Sequence, residues 1–256
     1  MRVLITGGSE GIGFETAKVL ARKGNQIMLI ARSKEKLEAA TNQLEGNGHS
    51  NMEADLTLQD DLEKVKQLIS NQNFDILINN AGACLYGRFS ELPLDKQINL
   101  IHLNINAVVE LSYAFLKTAK KGDALVNLAS LLGITTYPGA AVYAATKSFI
   151  EKFSESLWYE YKRKGIFVLA FCPGATFTNF HDSAGIAKSS MSRKIMQMPE
   201  DVAQELAKAI EERDSPRVVS GKMNKFLVFI DRFISVKKIT SMMGDYCPVK
   251  EDEDVS

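Results

Sequence analysis

Short apolar runs alternating with amphipathic stretches constrain this chain more than any other feature. The runs fall at residues 3–6, 26–30, 51–54, 76–79, 124–128, 167–171 and 217–219. Helical spacing fills the intervals at 11–23, 34–45, 58–71, 94–119, 139–163 and 199–213. Leu62, Val65, Leu68 and Ile69, for example, recur on one side of a helix. Runs this short and this continuously apolar suit strands buried on both faces, and strand–helix alternation calls for parallel pairing. The expectation is an α/β fold: a single doubly wound domain with a seven-stranded parallel sheet flanked by helices. A chain of 256 residues, 45% hydrophobic, has enough apolar material for one such core.

In a sheet of this kind right-handed crossovers bring all strand C-termini to one edge, where ligands bind. Each of the first six runs ends on a candidate there: Gly7, Arg32, Asp55, Asn80-Ala81-Gly82, Ser130 and Pro173-Gly174. The first run leads through Thr6-Gly7-Gly8-Ser9-Glu10-Gly11-Ile12-Gly13 into a helix. Glycine permits positive φ and close backbone approach, and the N–H groups and dipole of the following helix attract a pyrophosphate. The Gly7, Gly11, Gly13 spacing differs from the usual Gly-x-Gly-x-x-Gly dinucleotide turn. In this strand–turn–helix setting it still reads as a phosphate cradle of a Rossmann fold.

Tyr143 and Lys147 are four residues apart and share a helix face. A phenol titrates near 10, too high for ready exchange at neutral pH. A neighbouring ammonium and a cationic nicotinamide would favour the phenolate and lower that value. The pair then makes a general acid–base for a carbonyl or alcohol oxygen, and Ser130 could hydrogen-bond the same oxygen.

Taken together, Thr6-Gly7-x-x-x-Gly11-x-Gly13, Asp55, Asn79-Asn80-Ala81-Gly82, Asn104, Ser130, Tyr143-x-x-x-Lys147 and Pro173-Gly174-x-x-x-Thr178 resemble a classical short-chain dehydrogenase/reductase. The likeness covers roughly residues 1–220. It implies a catalytic set of Asn104, Ser130, Tyr143 and Lys147. Tyr143 would be the acid in reduction or base in oxidation, and Lys147 would hold the nicotinamide ribose. Ser130 would orient the substrate oxygen, and Asn104 would kink its helix and hold a relay water. Asn106, two residues on, reads as a helix-surface residue. The implied cofactor-binding residues are Thr6, Gly7, Ser9, Glu10, Gly11, Ile12, Gly13, Arg32, Ser33, Asp55, Leu56, Asn80, Ala81, Gly82, Tyr143, Lys147, Pro173, Gly174, Thr176 and Thr178. Asp55 would meet the adenine and Thr178 the nicotinamide carboxamide. No metal is implied.

Cofactor choice turns on Arg32. A site for NAD usually ends its second strand with an acid that bonds the ribose hydroxyls. Here Ala31 holds that place, followed by Arg32 and Ser33. A guanidinium binds a 2′-phosphate that an acid would repel, so NADP(H) is expected. Glu10 weighs against this, because some NADP-linked relatives carry a basic residue in that turn. The expected reaction is NADPH-dependent reduction of a ketone or 3-oxo group to a secondary alcohol. A non-catalytic NADP(H) sensor is an alternative, as is an alcohol dehydrogenase working oxidatively. A sensor would typically lack the Tyr or Lys, and a nucleotide-sugar epimerase would use another glycine spacing in a longer chain.

Loops at 83–93, 131–142 and 175–198 would cover the substrate. Leu85, Tyr86, Phe89, Leu131, Leu132, Tyr137, Phe177, Phe180, Ile186 and Met191 make them favour an apolar substrate, with 179–198 as a lid. Lys188, Arg193 and Lys194 read as lid surface, and His181 is given no catalytic role. Zero formal net charge and no basic stripe argue against nucleic acid as a partner. Cys84, Cys172 and Cys247 lack metal-ligand or pairing spacing, which suits a reducing, cytoplasmic setting. No signal peptide and no spanning helix are expected.

Residues 221–256 are expected to form a C-terminal helical extension and acidic tail (Glu251, Asp252, Glu253, Asp254) packed on the 1–220 domain. Phe226, Leu227, Phe229, Ile230, Phe233 and Ile234 make an apolar face there, with Lys222, Lys225, Arg232, Lys237 and Lys238 around it. A subunit contact or a pocket cover is the preferred reading of 222–238, with a peripheral membrane contact as the alternative. A homodimer or homotetramer would use the helices at 94–119 and 139–163, with Val109, Phe115, Phe153 and Trp158 as outer apolar residues.

Overall fold

The structure, a computed structural model, describes residues 1–180 and 196–245. His181, Ile186, Lys188, Met191, Arg193, Lys194, Cys247 and the acidic run lie outside the described residues. The strands are β1 (Arg2–Thr6), β2 (Gln26–Ala31), β3 (Ser50–Glu53), β4 (Ile76–Asn79), β5 (Ala124–Leu128), β6 (Phe167–Cys172) and β7 (Arg217–Val219). They form one sheet in the order β3-β2-β1-β4-β5-β6-β7, with every pairing parallel. The strand order reverses between β1 and β4, where a doubly wound sheet opens its crevice.

Period-two alternation divides the core in two. Val3 and Ile5 point to one face with Ile27, Leu29, Ile76 and Ile78. There they meet Leu20 of α1 (Gly11–Arg22) and Leu206 and Ile210 of the helix Pro199–Glu212. Leu4 points the other way with Ile30, Leu77 and Leu125. Against them lie Leu62, Val65 and Ile69 of α3 (Gln59–Asn71) and Leu111 and Phe115 of the helix Ala107–Thr118. Burying each of these large side chains stabilises the fold by roughly 2 kcal/mol.

The helices depart from the sequence pattern where tertiary packing intervenes. α2 (Lys34–Asn42) stops short of residue 45, ahead of two glycines at positive φ, Gly46 (103°) and Gly48 (80°). The 94–119 stretch is not one regular helix. α4 (Leu94–Ile101) passes through a wide π-helical turn, His102–Asn106, into α5 (Ala107–Thr118). A four-residue helix, α6 (Leu131–Ile134), sits where the sequence suggested loop. It is followed by α7 (Ala141–Tyr161), α8 (Pro199–Glu212), α9 (Lys222–Asp231) and α10 (Val236–Asp245).

Phe115 is not on an outer face as expected. It lies four residues after Leu111, faces the sheet and is 1% exposed. Val109, Phe153 and Trp158 are half-buried, and the aromatic rings that do face outward are Tyr113, Phe149 and Tyr159. Among the described residues no helix is long and apolar enough to cross a membrane, and no cluster of side chains has metal-ligand geometry.

Candidate active site

The turn after β1 is held by its neighbours. Gly7 and Gly11 have φ of 64° and 61°. A Cβ on Gly13 would lie 2.4 Å from Asn80 Nδ2 and 2.5 Å from the Gly7 carbonyl oxygen, so no side chain fits there. Thr6 Oγ1 accepts from the Asn80 and Ala81 amides, each at 3.0 Å. Asn80 Nδ2 donates to the Thr6 and Gly7 carbonyls, each at 2.9 Å. Thr6 and Asn80 thus clamp β1 to β4 across the switch point. Ser9 and Ile12 are half-buried in the same turn.

Glu10 precedes α1 but does not cap it with its side chain. Its carboxylate pairs with Lys36 at 3.1 Å and accepts from Asn179 Nδ2 at 3.0 Å, tying the turn to α2 and to the segment after β6. The first-turn N–H groups of α1 keep their partial positive charge for an anion.

At the end of β2, Arg32 is exposed, and its guanidinium has no partner among the described residues. Ser33 caps α2, its hydroxyl accepting from the Lys36 amide at 3.3 Å. Past β3, Asp55 Oδ1 accepts from the Thr57 amide at 2.9 Å and hydroxyl at 2.7 Å, while Leu56 is buried beside it.

The catalytic candidates converge beyond β4 and β5. Lys147 Nζ donates to the Leu128 carbonyl at 2.7 Å and lies 5.8 Å from the Tyr143 ring centroid. A Cβ on Gly82 would sit 3.4 Å from Lys147 Nζ and 3.3 Å from Asn104 Oδ1. Asn104 occupies the centre of the π-helical turn and is 1% exposed. Its Oδ1 accepts from the Ala83 amide, and its Nδ2 donates to the Ala83 carbonyl, both at 2.9 Å, and to Thr146 Oγ1 at 3.1 Å. Asn106 is exposed and its side chain hydrogen-bonds His102 at 3.3 Å. Ser130 caps α6, its hydroxyl accepting from the Leu132 amide at 3.2 Å.

Burial sets the titration of the pair. It pushes the Tyr143 phenol above its ordinary value of 10, and the neighbouring Cys84 thiol adds to the rise. The hydrogen bond from Ser130 pulls the other way. Burial also brings the Lys147 ammonium down to about 8. The expectation of a lowered phenol pKa is therefore not met by the protein groups. Lys147 spends a hydrogen bond on Leu128, while the phenol is enclosed by Cys84, Leu100 and Ala140. At neutral pH Tyr143 is a phenol and Lys147 an ammonium. Desolvation likewise pushes the Cys84 thiol up to about 12 and raises the Tyr86 phenol. Neither is a nucleophile near neutral pH.

After β6 the chain closes over the glycine turn. Pro173 accepts at its carbonyl from the Leu131 amide at 2.8 Å. Gly174 packs on Asn224, whose Nδ2 would lie 2.3 Å from an added Cβ. Thr176 is buried, donates to the Gly174 carbonyl at 3.0 Å and pairs with Gln197. The Thr178 methyl would lie 3.2 Å from a Cβ on Gly11, which brings the two loops into contact.

Several residues of this site stand outside the motif-derived candidates. Thr146 holds Asn104 and donates to the Tyr143 carbonyl at 2.7 Å. Gly133 lets α6 lie on the backbone of α7, where a Cβ would come within 2.6 Å of the Lys147 carbonyl carbon. Beneath the site, Asn79 Nδ2 donates to Asn127 Oδ1 at 2.9 Å, and Asn127 Nδ2 to Ser154 Oγ at 3.0 Å. The sequence signals for this chain of bonds were a polar residue inside each of two apolar runs and the place of Asn79 at the head of the Asn79-Asn80-Ala81-Gly82 motif. A small apolar cavity of about 10 Å³ beside Tyr143 is lined by Leu85, Phe89, Leu92, Gln97, Leu100 and Val142.

A profile described as short chain dehydrogenase matches residues 1–188. The chain belongs to the short-chain dehydrogenase family. Over 180 residues it is 35% identical to a very-long-chain 3-oxoacyl-CoA reductase of Rattus norvegicus, covering 66% of this chain and 57% of that protein. It thus spans less than two-thirds of that curated relative. Over 216 residues it is 35% identical to the oxidoreductase UcpA of Salmonella typhimurium, covering 81% of this chain and 79% of that one. A short-chain dehydrogenase from Sphingobium yanoikuyae, solved in complex with NADPH, superposes with a TM-score of 0.81 at 27% identity, covering 100% and 99% of the two chains.

Proposed function

We propose that this short-chain dehydrogenase is an NADPH-dependent oxidoreductase that reduces the ketone or 3-oxo group of an apolar substrate to a secondary alcohol. The observation that carries the reading is Tyr143. Its phenol is buried, hydrogen-bonded by Ser130, kept protonated at neutral pH and set beside an apolar cavity. A neutral phenol in that place is a proton donor to a carbonyl oxygen. Ser130 donates to the same oxygen and orients it. Lys147, charged and fixed through Leu128, stabilises the phenolate left after proton transfer. Asn104 holds Ala83 and Thr146 and so sets the floor beneath Tyr143 and Lys147.

The residues fit a bound NADP(H). The glycine turn leaves no room for side chains between β1 and β4, α1 has an uncapped first turn, and Arg32 offers a free guanidinium where an acid would select against a 2′-phosphate. The NADPH in the Sphingobium protein supports the same choice. When bound, the nucleotide supplies the hydride. The likeness to a very-long-chain 3-oxoacyl-CoA reductase supports a ketone with an apolar acyl group.

The test follows NADPH absorbance with aromatic ketones, 3-oxoacyl thioesters, steroids and quinones, beside a Tyr143→Phe control. Turnover should fall by about 10²–10⁴ in the control while NADPH binding is retained. Binding without turnover on any of these substrates would instead favour a nucleotide sensor.

A further inference from the structure

We propose that the exposed face of α9 and α10 docks the chain onto an anionic lipid surface. Met223, Phe226, Leu227, Phe229, Phe233 and Val236 are each at least half exposed, and Phe233 is 76% exposed. They fall within one short stretch of fourteen residues, which sets them apart from apolar residues scattered singly over a surface. Phe229 and Phe233 stack edge to face at 5.3 Å, one helical turn apart. Neither helix contains a fully buried residue, and the six exposed side chains named above lie outside the core.

Charge selects the occupant. Residues 222–238 carry five cations and a single acid, Asp231, on a chain whose formal charge is zero. Lys222, Lys225, Arg232, Lys237 and Lys238 are all exposed, and none of their side chains has a partner among the described residues. A second copy meeting this face about a twofold axis would set the same cations against themselves. A lipid surface gives both parts of the patch a partner: the acyl boundary takes the phenyl rings and anionic headgroups take the cations. The sequence also carries acids at 251–254, so the full chain is the object to test.

The patch borders the substrate side. Thr240 of α10 hydrogen-bonds Thr136 at 3.1 Å, and Gly244 lies against Pro138. Between these two anchor points is Tyr137, which packs in the apolar cluster around Tyr143. In the first turn of α9, Asn224 donates to the Ser220 carbonyl at 2.7 Å and to Gln197 Oε1 at 3.1 Å, and it rests on Gly174. A chain docked this way holds its site next to the membrane, where apolar substrates partition.

The experiment is flotation of the full chain with vesicles of phosphatidylglycerol and phosphatidylcholine, and with phosphatidylcholine alone. The chain should float with the anionic vesicles, stay down with the neutral ones, and be released by salt. Lys237→Ala with Lys238→Ala should weaken partitioning about thirtyfold. Phe229→Ser with Phe233→Ser should abolish it. Both variants should keep the parent's thermal midpoint, since all four side chains are exposed. A parent chain left at the bottom with anionic vesicles overturns the proposal, and so does a Phe229→Ser, Phe233→Ser variant that still floats. A drop in oligomeric mass for that variant by light scattering would assign the face to a second copy and overturn it as well. None of these readings depends on turnover, so the proposed reaction stands or falls separately.

Discussion

Replacing Lys147 by methionine should make the protein more stable and inactive at once. Methionine keeps the length of the side chain and removes its charge. Burial brings the ammonium from an ordinary 10.5 to about 8. At about 1.4 kcal/mol per pH unit, keeping this lysine charged in the folded chain at neutral pH costs roughly 3 kcal/mol. The bond from Nζ to the Leu128 carbonyl, 2.7 Å, is lost in the variant. That loss of a bond from a charged donor offsets about 2 kcal/mol, leaving a net gain near 1 kcal/mol. For a chain of this size the thermal midpoint should rise by about 2–4 °C. The sign of the pH dependence follows from linkage. Between pH 8 and 10.5 the unfolded chain holds the proton that the folded chain has released. The parent therefore gains stability as pH rises through that window. The variant's advantage is full below about pH 8 and closes toward 10.5. Urea unfolding without added nucleotide, near pH 7 and again near pH 10, measures the gap at both ends. A variant less stable than the parent near neutral pH, or a gap that does not change with pH, would refute the account of Lys147 as a buried charge retained for function.

Other perturbations separate the parts of the site. Gly13→Ala forces a methyl against Asn80 Nδ2 and the Gly7 carbonyl, so it should cost about 3 kcal/mol in urea unfolding and weaken NADPH binding in the same variant. Ala31→Asp with Arg32→Ala should lower kcat/KM for NADPH about tenfold to a hundredfold and raise that for NADH; an unchanged ratio would remove Arg32 as the selector. Asn104→Ala strands the Ala83 amide and carbonyl and the Thr146 hydroxyl, and should destabilise the fold by about 3 kcal/mol, read as a lower urea midpoint.

Local periodicity was sufficient for the sheet. Runs such as 3–6 and 76–79 are too short and too apolar for anything but strands covered on both faces, so seven parallel strands and their intervening helices were legible in order. The glycine turn was legible because Gly7 and Gly11 adopt positive φ, a property of one residue and its neighbours. Tyr143 and Lys147 shared a face because helical spacing alone places them there. Other features depend on residues distant in the chain. The clamp of Thr6 to Asn80 joins positions 74 apart, and the inward turn of Phe115 follows from which side of its helix meets the sheet. Asn104 was expected to kink its helix; the structure shows a π-helical turn there, tied by bonds to Ala83 and Thr146 that no spacing rule contains. The raised phenol of Tyr143 and the lowered ammonium of Lys147 are consequences of desolvation, which the chain acquires only when Cys84, Leu100 and Ala140 close around them. The sequence by itself determined which groups would be available at the sheet edge, since residue type and helical or strand spacing are local. Only the tertiary structure decided their protonation, their partners and which apolar residues stay outside, because burial is a property of the assembled layers.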